Sequence, residues 1–270
     1  DVCDVNIAEP GQQCSLRAAI QTANAKAGPD VITFNIPGGG VHAIAPLDTL
    51  PPITEKVSID ATTQPGYVSS PLIHLFGVGQ SYGLGLAPGS NDSVISGFAI
   101  NRFQVAIAIQ SGGNRIEENY IGLGPGGNPQ GTVAQHLIGI DIRGATATNN
   151  TIGGAGSLRN LISNNGFGVA ISQGATGNTI IGNRIGTNLA GVTATANTVG
   201  IAIDAANGNT IGGATAALGN LISGNTSAGV LLQNNAATNI VAANLIGTNF
   251  DGTAGIPNAV GVNLLDSDNN

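Results

Sequence analysis

The sequence predicts an all-β chain wound as a parallel β-helix of three-strand coils, with one short α-helix closing its N-terminal end. Three observations predict it. First, a unit of about sixty residues repeats: Leu161 is matched by Leu221, Ile185 by Ile246 and Gly200 by Gly261, at separations of 60, 61 and 61. A fixed period of that size marks a solenoid. Second, one short strand returns in every coil, as GLGL at 83, AIAI at 106, GIDI at 139, GVAI at 168, GIAI at 200, GVLL at 229 and GVNL at 261. Third, 42 of the 270 residues are Gly and 41% are hydrophobic, while only 3% are aromatic and 9% charged. Such a chain fills a thin, continuous aliphatic core rather than a globular one. Disorder would need lower hydrophobicity and more charge.

Residues 1–30 form one unit and 31–270 the solenoid. Ser15 is an N-cap residue. Leu16, Ala19, Ile20 and Ala23 share one helical face, and Gly28-Pro29 stops the turn, so 16–26 is expected to be helical. The open end of a β-stack is the natural partner for that face, because it covers an unpaired backbone edge. Cys3 and Cys14 read as a disulfide, hence an oxidising compartment. Two free thiols remain the alternative; a metal site would lack ligands, with no His nearby.

From Val31 the period becomes that of strands: VITFNI, VSIDA at 57–61, PLIHLFG at 71–77. From Gly83 the coils are regular, with spacings of 23, 33, 29, 32, 29 and 32 residues, so the sixty-residue unit is two coils of about 29 and about 32. Each holds three short strands, such as GVAI, NTIIG and NLISN. Parallel pairing at about 4.8 Å stacks like on like. It predicts two inward columns: Ile107, Ile140, Val169, Ile201, Val230, Val262, and Ile109, Ile142, Ile171, Ile203, Leu232, Leu264. Asparagines mark the corners. Asn114, Asn178, Asn209 and Asn239 hold one, with Asn149 or Asn150 between; Asn119, Asn183 and Asn244 hold another, as do Asn160 and Asn220. Stacked amides can bond up and down a column. Insertions at 122–137, 186–199 and 247–260 form one ridge, and bulges at 153–159 and 212–219 a second, flanking a flat face.

CSLRAAIQTANA at 14–25 resembles the CSLREA-type N-terminal motif of exported bacterial proteins. TTQPGY at 62–67, INRF at 100–103 and the NTIGG, NLISGN and IGTN runs resemble the β-helix repeats that follow it. The resemblance covers nearly the whole chain. It implies export and a right-handed parallel β-helix, and says little of function. The motif's Glu is replaced by Ala18, which removes half of a capping box.

A formal charge of −7, with only two Lys and six Arg, argues against nucleic acid, which needs basic surface to neutralise phosphates. No apolar run reaches the ~18 residues of a membrane helix. The absence of an initiator Met suggests a processed N-terminus. The strands stop just after GVNL, so either the natural chain continues or another molecule covers that edge. The outward residues of the GVAI strand, Ala108, Asp141, Ala170, Ala202, Leu231 and Asn263, carry little chemistry. Asp141 with Arg143, and Asp204 two coils on, is the best catalytic cluster, yet an exposed Asp and Arg at i, i+2 on one strand are more often a surface ion pair. Glu117 and Glu118 face different ways. His42, His74 and His136 are scattered, Tyr67, Tyr82 and Tyr120 form no row, and Asp266-Ser267-Asp268 lacks the rest of a calcium loop. No cofactor and no metal are expected. The reading is a non-catalytic, exported structural or adhesive β-helix, such as a filament or surface-layer subunit, with itself or a cell-surface glycan as partner. The alternative is a carbohydrate-active enzyme or a glycan-binding module.

Overall fold

The computed structural model describes residues 14–130 and 136–270, with the side chain of His136 not described. Its strands form three parallel sheets. The first holds eight, from Asp30–Thr33 to Ile240–Ala242; the second eight, from His42–Ile44 to Leu245–Ile246; the third seven, from Tyr82–Leu86 to Val260–Leu265. Each pairing is parallel and joins equivalent strands of successive coils, as in Ile140↔Val169 and Ile171↔Ile203. This is the expected parallel β-helix.

Both aliphatic columns point inward. From Ile107 to Val230 and from Ile109 to Leu232 every member is at most 1% exposed. The last rung departs from the expectation: Val262 is 39% exposed and Leu264 51%. Their strand pairs on one side only, with Ala228–Gln233, so half of each side chain's packing is missing. Beside the columns runs a line of glycines that answers to close approach rather than to turn geometry. A Cβ on Gly139, Gly168, Gly200 or Gly229 would lie 2.5–2.6 Å from the carbonyl oxygen of the glycine one coil on.

The asparagines form three columns, one at each corner, buried except at the last member of each. The first runs Asn114, Asn150, Asn178, Asn209, Asn239, Asn270. It selects Asn150 over Asn149, and draws Asn270 out of what reads as a polar tail. The second runs Asn119, Asn160, Asn183, Asn220, Asn244. The third, Asn165, Asn197, Asn225, Asn258, escaped the sequence reading. In each column an Asn oxygen accepts from both the side-chain amide and the backbone N–H of the Asn one coil earlier. Buried amides so bonded have their donors and acceptors engaged within the stack.

The helix spans Leu16–Ala25, with Ser15 Oγ accepting from the Ala18 N–H at 3.2 Å. Leu16, Ile20 and Ala23 are buried in the same core as Phe34, Leu50 and Ile53, while Ala19 is only half-buried. Arg17 donates to the carbonyls of Asp48 and Thr49, and Asn24 bonds Pro52 O and Thr54 N–H, pinning the helix to the first coil. Cys3, and with it the expected pairing to Cys14, lies outside the described residues.

Candidate functional site: a groove on the second sheet

The late strands of the second sheet are two residues long: Tyr120–Ile121, Leu161–Ile162, Arg184–Ile185, Leu221–Ile222 and Leu245–Ile246. The isoleucines of the first four are fully buried. Their neighbours therefore face out, and register aligns Tyr120, Leu161, Arg184, Leu221 and Leu245 in one line. Insertions flank this line on both sides, and they alternate. The coils of Leu161 and Leu221 carry theirs before the strand, as short 3-10 turns at Gly156–Leu158 and Ala216–Leu218. The coils of Tyr120, Arg184 and Leu245 carry theirs after it. The loops that follow Arg184 and Leu245 are built alike. Asn188 Oδ1 accepts from the N–H groups of Val192 and Thr193, and Asn249 Oδ1 from those of Thr253 and Ala254. Each loop is closed by one antiparallel bridge, Thr187↔Ala194 or Thr248↔Gly255. At the matching position each projects a bulky side chain over the floor, Leu189 or Phe250.

The result is a groove of two adjoining hollows, of about 170 and about 320 Å3, which share Gly156, Arg159 and Arg184 along their common border; Leu161 lines the first and Leu221 the second. Both arginines lean on Phe250: the Arg184 guanidinium carbon lies 4.7 Å from the ring centroid and that of Arg159 5.4 Å. Phe250 is held back toward them by its N–H bond to Gly191 O at 2.9 Å. Arg159 Nε donates to Gly156 O at 2.8 Å. Arg184 Nε is buried with no hydrogen-bond partner among the described residues. Burial, and then the charge of Arg159, lower the Arg184 pKa, although a guanidinium stays protonated at any ordinary pH.

At the other end of the groove the Tyr67 hydroxyl donates to Glu118 Oε2 at 3.2 Å. Glu118 has φ of 61°, in the left-handed region. The same corner in other coils is taken by Gly182 and Ala243, at φ 68° and 57°. A glutamate in that conformation breaks the repeat's local rule, which singles out its carboxylate. Burial raises the Glu118 pKa, with Glu117 and Asp60 adding to the rise and the Tyr67 bond opposing it. Burial, followed by the Glu118 charge, also pushes the Tyr67 phenol up. Tyr120 is 5% exposed and donates to Ser69 O at 3.3 Å, so it is floor rather than platform.

On the third sheet the residues of the weaker, catalytic alternative are engaged separately: Asp141 with Arg143, and Asp204 with its own amide partners. Asp141 is not exposed: it is 3% accessible, with Arg143 Nε 3.4 Å from Oδ2. Burial raises its pKa and Arg143 lowers it. Asp204 aligns with Arg143 through Ser172, not with Asp141. Its two oxygens accept from Gln233 and Asn234 at 2.9 and 2.8 Å. Glu117 pairs with Arg115 at 2.7 Å, and Glu118 sits at the corner that follows the strand. His74 bonds Asn101 at 3.2 Å and its pKa is lowered by burial. Among the described residues no three His, Cys, Asp or Glu could hold a metal ion, and no helix is long and apolar enough to cross a membrane. The groove residues Tyr67, Glu118, Arg159, Arg184 and Phe250 were missed as a group. The signal that finds them is the register of the NLISN strands combined with the alternating insertions. The chain matches no protein-family model and no curated protein sequence, so what the groove does has to be argued from its own chemistry.

Proposed function

We propose that the chain is an exported, non-catalytic β-helix that acts as a rigid adhesive rod and grips an extended glycan in the groove of its second sheet. The supporting observation is the unbroken floor from Tyr120 to Leu245, lying between staggered walls. Five rungs at about 4.8 Å each make a trough roughly 19 Å long, the reach of a few linked sugars. Glu118 is the one carboxylate among the described lining residues. Glycoside hydrolysis commonly needs two, about 5–9.5 Å apart, which favours binding over cleavage. Export is proposed from the CSLREA-type motif and the Cys3–Cys14 pair; thiol labelling before and after reduction tests the pairing.

The function is tested by screening polysaccharides for retention and for chain shortening. Retention without shortening is expected, and Leu189→Asp, which places a charge on the groove wall at a position 41% exposed, abolishes it. Depolymerisation, or retention that Leu189→Asp leaves intact, overturns the reading.

A further inference from the structure

The groove's cations narrow the ligand class, a step that rests on reading the groove as a glycan site. The chain has six Arg and two Lys against a formal charge of −7. Four of the arginines are engaged elsewhere: Arg17 on two carbonyls, Arg102 over Phe76, Arg115 on Glu117 and Arg143 on Asp141. The other two meet in one hollow. Neither Arg159 nor Arg184 is in an ion pair among the described residues; they share the Phe250 ring, and Arg184 Nε has no acceptor. Register places Arg184 beside Leu161, so the two arginines belong to neighbouring coils, about 4.8 Å apart along the axis. Two like charges held together over one ring are unfavourable until an anion lies between them. Guanidinium is matched in shape by a planar carboxylate, which it can bind through two parallel N–H bonds. The surroundings suit a sugar ring: Leu161, Leu189 and Leu221 are apolar, and Tyr67 and Glu118 offer a hydroxyl and a carboxylate to sugar hydroxyls.

We propose that the groove selects acidic polysaccharide, seating a uronate carboxylate between Arg159 and Arg184 beside Phe250. The test is calorimetric titration of the whole chain with oligogalacturonate and oligoguluronate. The comparison ligands are the same oligomers after carboxyl reduction, and sulfated dextran. The acidic oligomers are expected to bind, more weakly as salt is raised, and the reduced ones to lose that affinity. Arg159→Gln and Arg184→Gln should each weaken acidic binding about tenfold or more, as removal of a charged hydrogen-bond partner does. A thermal melt of each variant separates this from misfolding, and Arg159→Gln alone decides the matter if Arg184→Gln does not fold. Equal binding of acidic and reduced oligomers overturns the carboxylate inference and leaves the groove as a neutral-glycan site. Tighter binding of sulfated dextran reassigns the anion and likewise overturns it. No binding of any oligomer sinks both this inference and the functional reading beneath it.

Discussion

Asn183 and Asn220 stand one coil apart, and a single oxygen of Asn220 receives both the side-chain amide and the backbone N–H of Asn183, each at 3.0 Å. Asn183 Oδ1 does the same for Asn160, at 2.9 and 3.1 Å. Asn183→Ala strands two buried donors of Asn160, at about 1–3 kcal/mol each. The variant is expected to melt well below the parent. Asn183→Asp keeps the acceptors but loses the donors to Asn220 Oδ1, Ile152 O and Ile181 O and buries a charge, so it should be worse at neutral pH. Parent-like urea midpoints for both would mean that the columns contribute nothing to stability.

The glycine line makes a second prediction. Gly200 lacks positive φ, yet a Cβ there would sit 2.5 Å from Gly229 O. Gly200→Ala must push coils apart, a cost of about 1–3 kcal/mol for overpacking. Gly255 has nothing within 4 Å of the built Cβ and is the control, expected within about 0.5 kcal/mol of the parent. Equal melting of the two variants would count against close approach as the reason for glycine.

The aliphatic column gives an internal comparison. Ile142→Asp puts a carboxylate at a site of 0% exposure and is expected to unfold or shorten the stack. Leu264→Asp, in the same column at 51% exposure, should fold with a modest loss. Circular dichroism of the purified pair reads this directly. A folded, parent-like Ile142→Asp would show that the column does not carry the core.

Asp141 and Glu118 predict the pH dependence. Both have folded pKa values raised above their ordinary 3.8 and 4.5, chiefly by burial. A raised carboxyl pKa means that the folded state holds its proton more tightly than the unfolded chain. Its contribution is therefore fully present below the ordinary value and is lost as pH rises through the folded value. Asp141→Asn and Glu118→Gln should each flatten the melting profile over that window, relative to the parent. A profile for Asp141→Asn that runs parallel to the parent's from acid to neutral pH refutes the assignment for Asp141.

The coil and its core were readable because the strongest periodic signals, GVAI and NLISN, are also the ones buried in columns. Ile140 and Ile171 announce their register by composition alone. The site was less readable because its chemistry comes from residues that break the repeat. Glu118 occupies a corner that is Gly182 or Ala243 elsewhere, and Tyr67 lies in an irregular early coil. Phe250 is an insertion residue with Leu189 as its counterpart. Asp141 drew notice for its position on a regular strand, yet its carboxyl is covered and tied to Arg143. The third amide column was missed because Asn165, Asn197, Asn225 and Asn258 are split between long and short connections, which hides their common spacing.

The alternating insertions have a consequence for how the chain could lengthen. A single coil is not an interchangeable part: deleting one would bring two bulges onto the same flank, one directly above the other, and leave the opposite flank bare. Only the paired tile of about sixty residues can be copied or excised with the trough's outline preserved. Growth by duplication would thus extend the trough in steps of two rungs, about 10 Å at a time, with the rim always in register.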